Sequence, residues 1–208
     1  EMCIRDRFIV DLRPALAFAA GHPAGAINLM FNKSNLVERA RKLFAPDDSL
    51  IIIGDIPLIA QEAAQMLVEE GMTVAGYVQE PVSAWLSSGL PVEQIATGDL
   101  DALHRYVQDH NAVILDVREP FEWEKGVIPN GSADIRLIAL SEIKQRWREL
   151  HADRTIVAVC ESGARASAVD SFLKRLGYSD LVNIAPQGMS DYSKKYETVR
   201  PEELTATI

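Results

Sequence analysis

Cys160, Gly163 and Arg165 are the residues whose types and spacing could do chemistry. A thiol is the best nucleophile among uncharged side chains, but only as the thiolate. A free cysteine titrates near about 8.5, so little of it is ionised at neutral pH unless its surroundings help. Glycine at 163 lets the backbone curl so that successive amides can face one point as an anion nest. Arg165 adds a cation. The run Cys160-Glu161-Ser162-Gly163-Ala164-Arg165 therefore suits a sulfur that attacks an anion or carries negative charge itself. Against this stands the plainer reading that a lone cysteine after an apolar strand is a small buried hydrophobe.

Two elements must position that run. Thr155 to Val159 is β-branched and apolar and predicts a short buried strand. From Ala164 the apolar period changes to that of a helix. Ala164, Ala168, Val169, Phe172, Leu173 and Leu176 share one face, and Gly177 stands where a glycine ends helices. Cys160 is thus placed in a tight turn between a strand's C-terminal end and a helix N-terminus. Unpaired amides and roughly half a positive charge gather at such a terminus. The expectation is an accessible thiol at the mouth of a sheet, ringed by amides.

The chain is also written twice, at a spacing of 105 to 106 residues. Phe8 to Arg13 answers to Val113 to Arg118, Phe18 and Gly21 to Trp123 and Gly126, and Pro23 and Gly25 to Pro129 and Gly131. Leu50 to Ile53 matches the strand leading to Cys160, Ala60 to Gly71 matches Ala166 to Gly177, and Val74 to Trp85 matches Val182 to Tyr192. So many ordered landmarks indicate a tandem duplication. In each copy short apolar runs alternate with amphipathic helices such as Leu58 to Glu70, the pattern of βαβ units in a mainly parallel sheet. Such sheets bind ligands beyond the C-terminal ends of their strands, which is where Cys160 falls.

The whole pattern resembles the rhodanese (sulfurtransferase) family. Its active loop, Cys-x-x-Gly-x-Arg, is matched by Cys160, Gly163 and Arg165. The second copy also shows its Asp116-Val117-Arg118, its Glu119-Pro120-Phe121-Glu122-Trp123 helix and its Gly-x-Ile-Pro turn at 126–129. The first copy shows Asp11-Leu12-Arg13, Gly21-His22, Gly25-Ala26-Ile27-Asn28 and Val82-Ser83-Ala84-Trp85. Three positions depart from the family pattern: Val127 replaces the usual His, Gln187-Gly188 the usual Gly-Gly, and Tyr192 the common Trp. The resemblance implies an α/β fold of two tandem rhodanese-like domains, each a mainly parallel sheet with helices on both faces. Residues 8–92 form the first domain, 93–98 a linker, 99–200 the second domain and 201–208 a tail. Asp99 is the expected N-cap of the second domain's first helix.

The resemblance further implies sulfur transfer in two steps. A Cys160 thiolate takes a sulfane sulfur from thiosulfate, glutathione persulfide or a protein persulfide, and the loop from Glu161 to Arg165 holds the resulting persulfide. A thiol acceptor, small or protein-borne, then removes it. No cofactor and no metal is called for. Arg165 reads equally as an orienter of an anionic donor and as a helix-start residue paired with a carboxylate. Asp116 and Arg118 support the loop, and a structural ion pair is the favoured reading. Glu161 beside the nucleophile repels a dianion, which favours a persulfide donor over thiosulfate. In the first copy Gly54 stands in the place of Cys160, Asp55 of Glu161 and Ile59 of Arg165. That loop lacks nucleophile and cation, and Pro57 removes one amide. The first domain is expected to be catalytically silent, either a scaffold that buries a face of the second or a docking and gating half.

Composition fits this reading. The chain has 208 residues, 48% apolar and 25% charged, which suffices for two domains with cores of their own. A net charge of −9 argues against nucleic acid or an anionic membrane as partner. There is no run of transmembrane length and no signal-peptide pattern. Two cysteines cannot build a disulfide framework, so a reducing, cytoplasmic setting is expected. Residues 1–7 sit outside the apolar pattern and read as a non-native scar, which would make Cys3 artefactual and leave upstream sequence missing.

Three rivals are weighed. Cysteine phosphatases and arsenate reductases use the same device with five residues between Cys and Arg; here there are four, a tighter cradle. A tandem rhodanese can also be a non-catalytic binding module. Finally, the chain resembles the C-terminal part of fusions that begin with a metallo-β-lactamase-type persulfide dioxygenase. Its own His22, His104, His110 and His151 show no metal-ligand spacing.

Overall fold

A computed structural model describes residues 7–204. Cys3 and most of the segment read as a scar lie outside the described residues. The chain divides into two units, residues 1–94 and 95–208.

The first unit runs β1 (Arg7–Asp11), α1 (Ala15–Ala20), β2 (His22–Pro23), β3 (Ile27–Asn28), α2 (Leu36–Leu43), β4 (Ser49–Ile53), α3 (Pro57–Glu69), β5 (Val74–Tyr77), α4 (Val82–Ser87) and β6 (Val92–Glu93). Its main sheet has the order β3-β1-β4-β5, every neighbour parallel. β1 starts one residue before the apolar pattern does, because Arg7 pairs with Ser49 through backbone groups that are indifferent to side-chain polarity.

The second unit runs β7 (Ala96–Gly98), α5 (Leu100–Tyr106), β8 (Ala112–Asp116), α6 (Pro120–Trp123), β9 (Asp134–Leu137), α7 (Ile143–Arg146), β10 (Thr155–Val159), α8 (Ala164–Arg175), β11 (Leu181–Ile184) and α9 (Met189–Lys195). Its parallel sheet has the order β7-β11-β10-β8-β9. Without β7, this is the order of the first sheet with β8, β9, β10 and β11 in the places of β1, β3, β4 and β5. The duplication in the sequence is therefore a duplication of topology, and each unit is a parallel sheet flanked by helices.

Residues 93–98, expected to link, are divided between the two units. Glu93 pairs with His22 in the first, and Ala96 to Gly98 form β7 along β11 in the second. Asp99 caps α5 as expected, its carboxylate accepting from the Ala102 amide at 2.7 Å.

The central strands of the second unit form its core. Every residue of β8 and of β10 is buried, as befits strands covered on both faces. Ile114, Val157, Val159, Ile184 and Tyr192 form one continuous apolar cluster. Helix α8 ends in a Schellman motif. Gly177 takes a left-handed φ of 99°, the Tyr178 amide donates to the Leu173 carbonyl at 3.1 Å and the Gly177 amide to that of Lys174 at 3.0 Å, closing carbonyls the helix would otherwise leave unpaired.

Candidate active site

β10 delivers Cys160 to the C-terminal end of the sheet, and α8 starts four residues later. Gly163 makes the turn possible: its φ of 77° is left-handed, and a Cβ there would lie 2.4 Å from the Ala185 Cβ. The loop's amides are then left over. Among the described residues the N–H groups of Glu161 through Ala166 donate no hydrogen bond; the first helical bond runs from the Ser167 amide to the Gly163 carbonyl, 2.8 Å. Six successive donors without acceptors leave the backbone that follows the cysteine able to take an anion.

The thiol is not open. Cys160 is 1% exposed, where the sequence led us to expect accessibility. The segment between β11 and α9 packs on this loop. The Met189 amide donates to the Cys160 carbonyl at 2.9 Å, and a Cβ on Gly188 would fall 2.2 Å from that oxygen and 2.3 Å from the Glu161 carbonyl carbon. This backbone lies directly on the loop, and only glycine permits that approach. From the sheet side Asn183 on β11 donates its Nδ2 to the Gly163 carbonyl at 3.2 Å. Sequence reasoning missed Asn183 and named Gly188 only as half of a departed Gly-Gly pair. That remaining glycine was the available signal.

Arg165 is engaged with a carboxylate. Its Nη2 donates to Glu122 Oε1 at 2.7 Å, and its Nη1 pairs with Oε2. Glu122 belongs to α6 and also accepts the Glu119 amide at 2.9 Å. Burial works against both charges, but the bidentate contact outweighs it: Arg165 is held above and Glu122 below its ordinary titration range. The fork geometry is the strong form of such a pair. Of the two roles open to Arg165, the structure shows the helix-start residue paired with a carboxylate.

Asp116 and Arg118 form a second fork at the end of β8, with Arg118 Nε 3.0 Å from both carboxylate oxygens and Nη2 2.7 Å from Oδ2. Arg118 Nη2 also donates to the Gly126 carbonyl at 2.8 Å. The pair reaches the loop as well, since Arg118 Nη1 lies 3.6 Å from Glu161 Oε1. Glu161 is tied on its other side by the Ser190 amide, 3.2 Å from Oε2. Ser162 and Ala164 contribute their backbones. The site so assembled carries three carboxylates (Asp116, Glu122, Glu161) against two guanidiniums (Arg118, Arg165), one negative charge in excess before the thiol ionises.

In the first unit Asp11 and Arg13 repeat the second fork, with Nη2 2.7 Å from Oδ2 and 2.8 Å from the Gly21 carbonyl. The loop after β4 does not repeat the first. The Ile59 and Ala60 amides both donate to the Ile56 carbonyl, and Pro57 has no N–H. No group of three or more potential metal ligands exists among the described residues, and none of their helices is long and apolar enough to cross a membrane.

A family model for the rhodanese-like domain matches residues 2–88 and again 99–195. The chain belongs to the rhodanese-like family. Among its curated relatives, YrkF of Bacillus subtilis, named as a sulfur carrier protein, is 36% identical over 89 residues, 43% of this chain and 45% of YrkF. A sulfurtransferase of Allochromatium vinosum is 32% identical over 87 residues, 41% of this chain and 78% of that protein. The chain thus spans under half the length of YrkF. Among solved structures, thiosulfate sulfurtransferase of Pseudomonas aeruginosa aligns with 93% of this chain and 40% of its own, at 20% identity and a TM-score of 0.39.

Proposed function

We propose that this rhodanese-like chain is a sulfurtransferase that carries a sulfane sulfur on Cys160. The observation that carries the reading is the set of six unpaired amides following the cysteine. The Cys160 thiolate attacks the outer sulfur of the donor; the donor's S–S bond breaks and its electron pair leaves with sulfite or a thiolate. A Cys160 persulfide remains, its terminal charge facing donors that need no rearrangement. An acceptor thiolate attacks that terminal sulfur, taking it as a new persulfide and returning Cys160 as thiolate. Atoms and electrons balance without metal or cofactor, and the kinetics are ping-pong.

The excess negative charge around the loop bears on the donor. Thiosulfate is a dianion, so it meets more repulsion there than a persulfide such as that of glutathione or of a protein. We take persulfides to be the better donors, thiols the acceptors and a reducing, cytoplasmic compartment the setting. The first unit, without cysteine or cation in its loop, is read as catalytically silent.

A second reading, a non-catalytic module, draws on the burial of Cys160. Intact mass after incubation with glutathione persulfide or thiosulfate separates the two. Wild type should gain the mass of one sulfur atom and Cys160→Ser should gain none. A wild type that stays unmodified by every donor would sink the catalytic reading in favour of the module.

A further inference from the structure

The first unit keeps a cavity at the place where the second keeps its cysteine. It measures about 390 Å³ and lies beyond the C-terminal ends of β1 and β4, the ligand end of a parallel sheet. Leu12, Met30, Phe31, Ile56 and Ile59 give it an apolar lining, and Ile56 is 54% exposed. Two charged residues border it. Arg13 is spent on Asp11, with Nε 3.1 Å from both oxygens and Nη2 2.7 Å from Oδ2. Asp55 is exposed and has no hydrogen-bond or ion-pair partner among the described residues.

We infer that this cavity is a ligand site of the first unit for a small apolar amine, an alkyl or aryl group bearing an ammonium. Size and lining match those of small-molecule sites, where apolar walls supply affinity and a few polar groups fix orientation. The one uncompensated charge is negative, so a cation is attracted and an anion repelled. The amide-rich run of the second unit is reduced here, because Pro57 has no N–H and the amides of Ile59 and Ala60 are satisfied within the turn. Duplication has thus left one binding place with two chemistries: amides and a thiol for sulfur anions, apolar walls and a carboxylate for a cationic amphiphile. This assignment is independent of what Cys160 does.

The test uses the full chain, isotope-labelled, titrated with 4-phenylbutylammonium, the neutral 4-phenylbutanol and the anionic 4-phenylbutyrate. Amide shifts should saturate and stay within residues 12–13, 30–31, 54–56 and 58–59. The amine should bind about threefold to tenfold more tightly than the alcohol, the range of one exposed charge contact, and the anion most weakly. Gly54→Leu should abolish the shifts by filling the space: a Cβ there meets only the Leu12 Cβ, at an ordinary 3.6 Å. Asp55→Asn, an exposed change that leaves folding intact, should equalise amine and alcohol. Shifts that are absent or scattered, an anion that binds as well as the amine, or an amine preference that survives Asp55→Asn would each overturn the inference.

Discussion

Arg165 and Glu122 show how a charged residue in the loop after a cysteine is held by a carboxylate from another element. Both are largely buried, with side chains 16% and 11% exposed, so removing one partner strands the other in a poorly solvated place. Glu122→Gln should cost about 1–3 kcal/mol, less than for a fully enclosed pair, read as a lower urea midpoint together with slower persulfide formation. The sign of its pH dependence follows from the depressed carboxyl. A carboxylate whose folded titration point lies below its unfolded one contributes stability above the unfolded value, near 4.5, and loses it as pH falls through the folded value. The wild-type advantage over Glu122→Gln should therefore hold at neutral pH and vanish in acid. Two parallel stability curves across that range would contradict it. The sequence named Cys160, Gly163 and Arg165 because they follow one another in the chain. Glu122 is 43 residues away from Arg165, and no local pattern reveals that two such residues will be paired. The close approach of the Gly188 backbone to this loop was equally illegible, since it joins segments far apart in the chain. Gly188→Ala should accordingly displace the loop and destabilise the fold by about 2 kcal/mol or more, where a glycine in open space and without a left-handed φ, such as Gly76, should tolerate the change.

Among the elements, α8 holds an unresolved tension. Asp170 stands in its middle, fully buried, and neither carboxylate oxygen has a hydrogen-bond partner among the described residues. Burial alone drives its titration well above the ordinary carboxylate range. A group whose folded titration point is raised supports the folded state in acid, and that support is lost as pH rises from the unfolded value through the folded one. Stability contributed by α8 should thus decline with rising pH on account of this residue. Asp170→Asn, of the same size but unable to ionise, should remove the slope and gain about 1 kcal/mol or more at mildly alkaline pH, measured by urea unfolding between pH 4 and 8. An unchanged slope would show that the carboxyl finds a partner in solution. The limits of β10 and α8 were legible because burial and helical periodicity leave strong marks on long elements. β7 was not: Ala96-Thr97-Gly98 has no strand character of its own and is extended only because β11 offers an open edge.

Across the whole molecule, the two copies separate what the fold requires from what the chemistry requires. The Asp–Arg fork recurs with the same 2.7 Å contact in both, although one copy has no nucleophile. That fork is part of how the fold closes the end of its first strand. The turns differ: six successive amides follow Cys160 unpaired, whereas after Gly54 the Ile59 and Ala60 amides donate to the Ile56 carbonyl and Pro57 has none. Restoring the thiol alone should therefore not restore the chemistry. In a Cys160→Ser background, Gly54→Cys has room for its side chain, with only the Leu12 Cβ at 3.6 Å. The double variant should fold, react with an alkylating reagent and still acquire no sulfur from glutathione persulfide under conditions that load the wild type. If it is loaded at a comparable rate, the amide set around Cys160 is not what stabilises the persulfide, and the chemistry resides in the cysteine by itself.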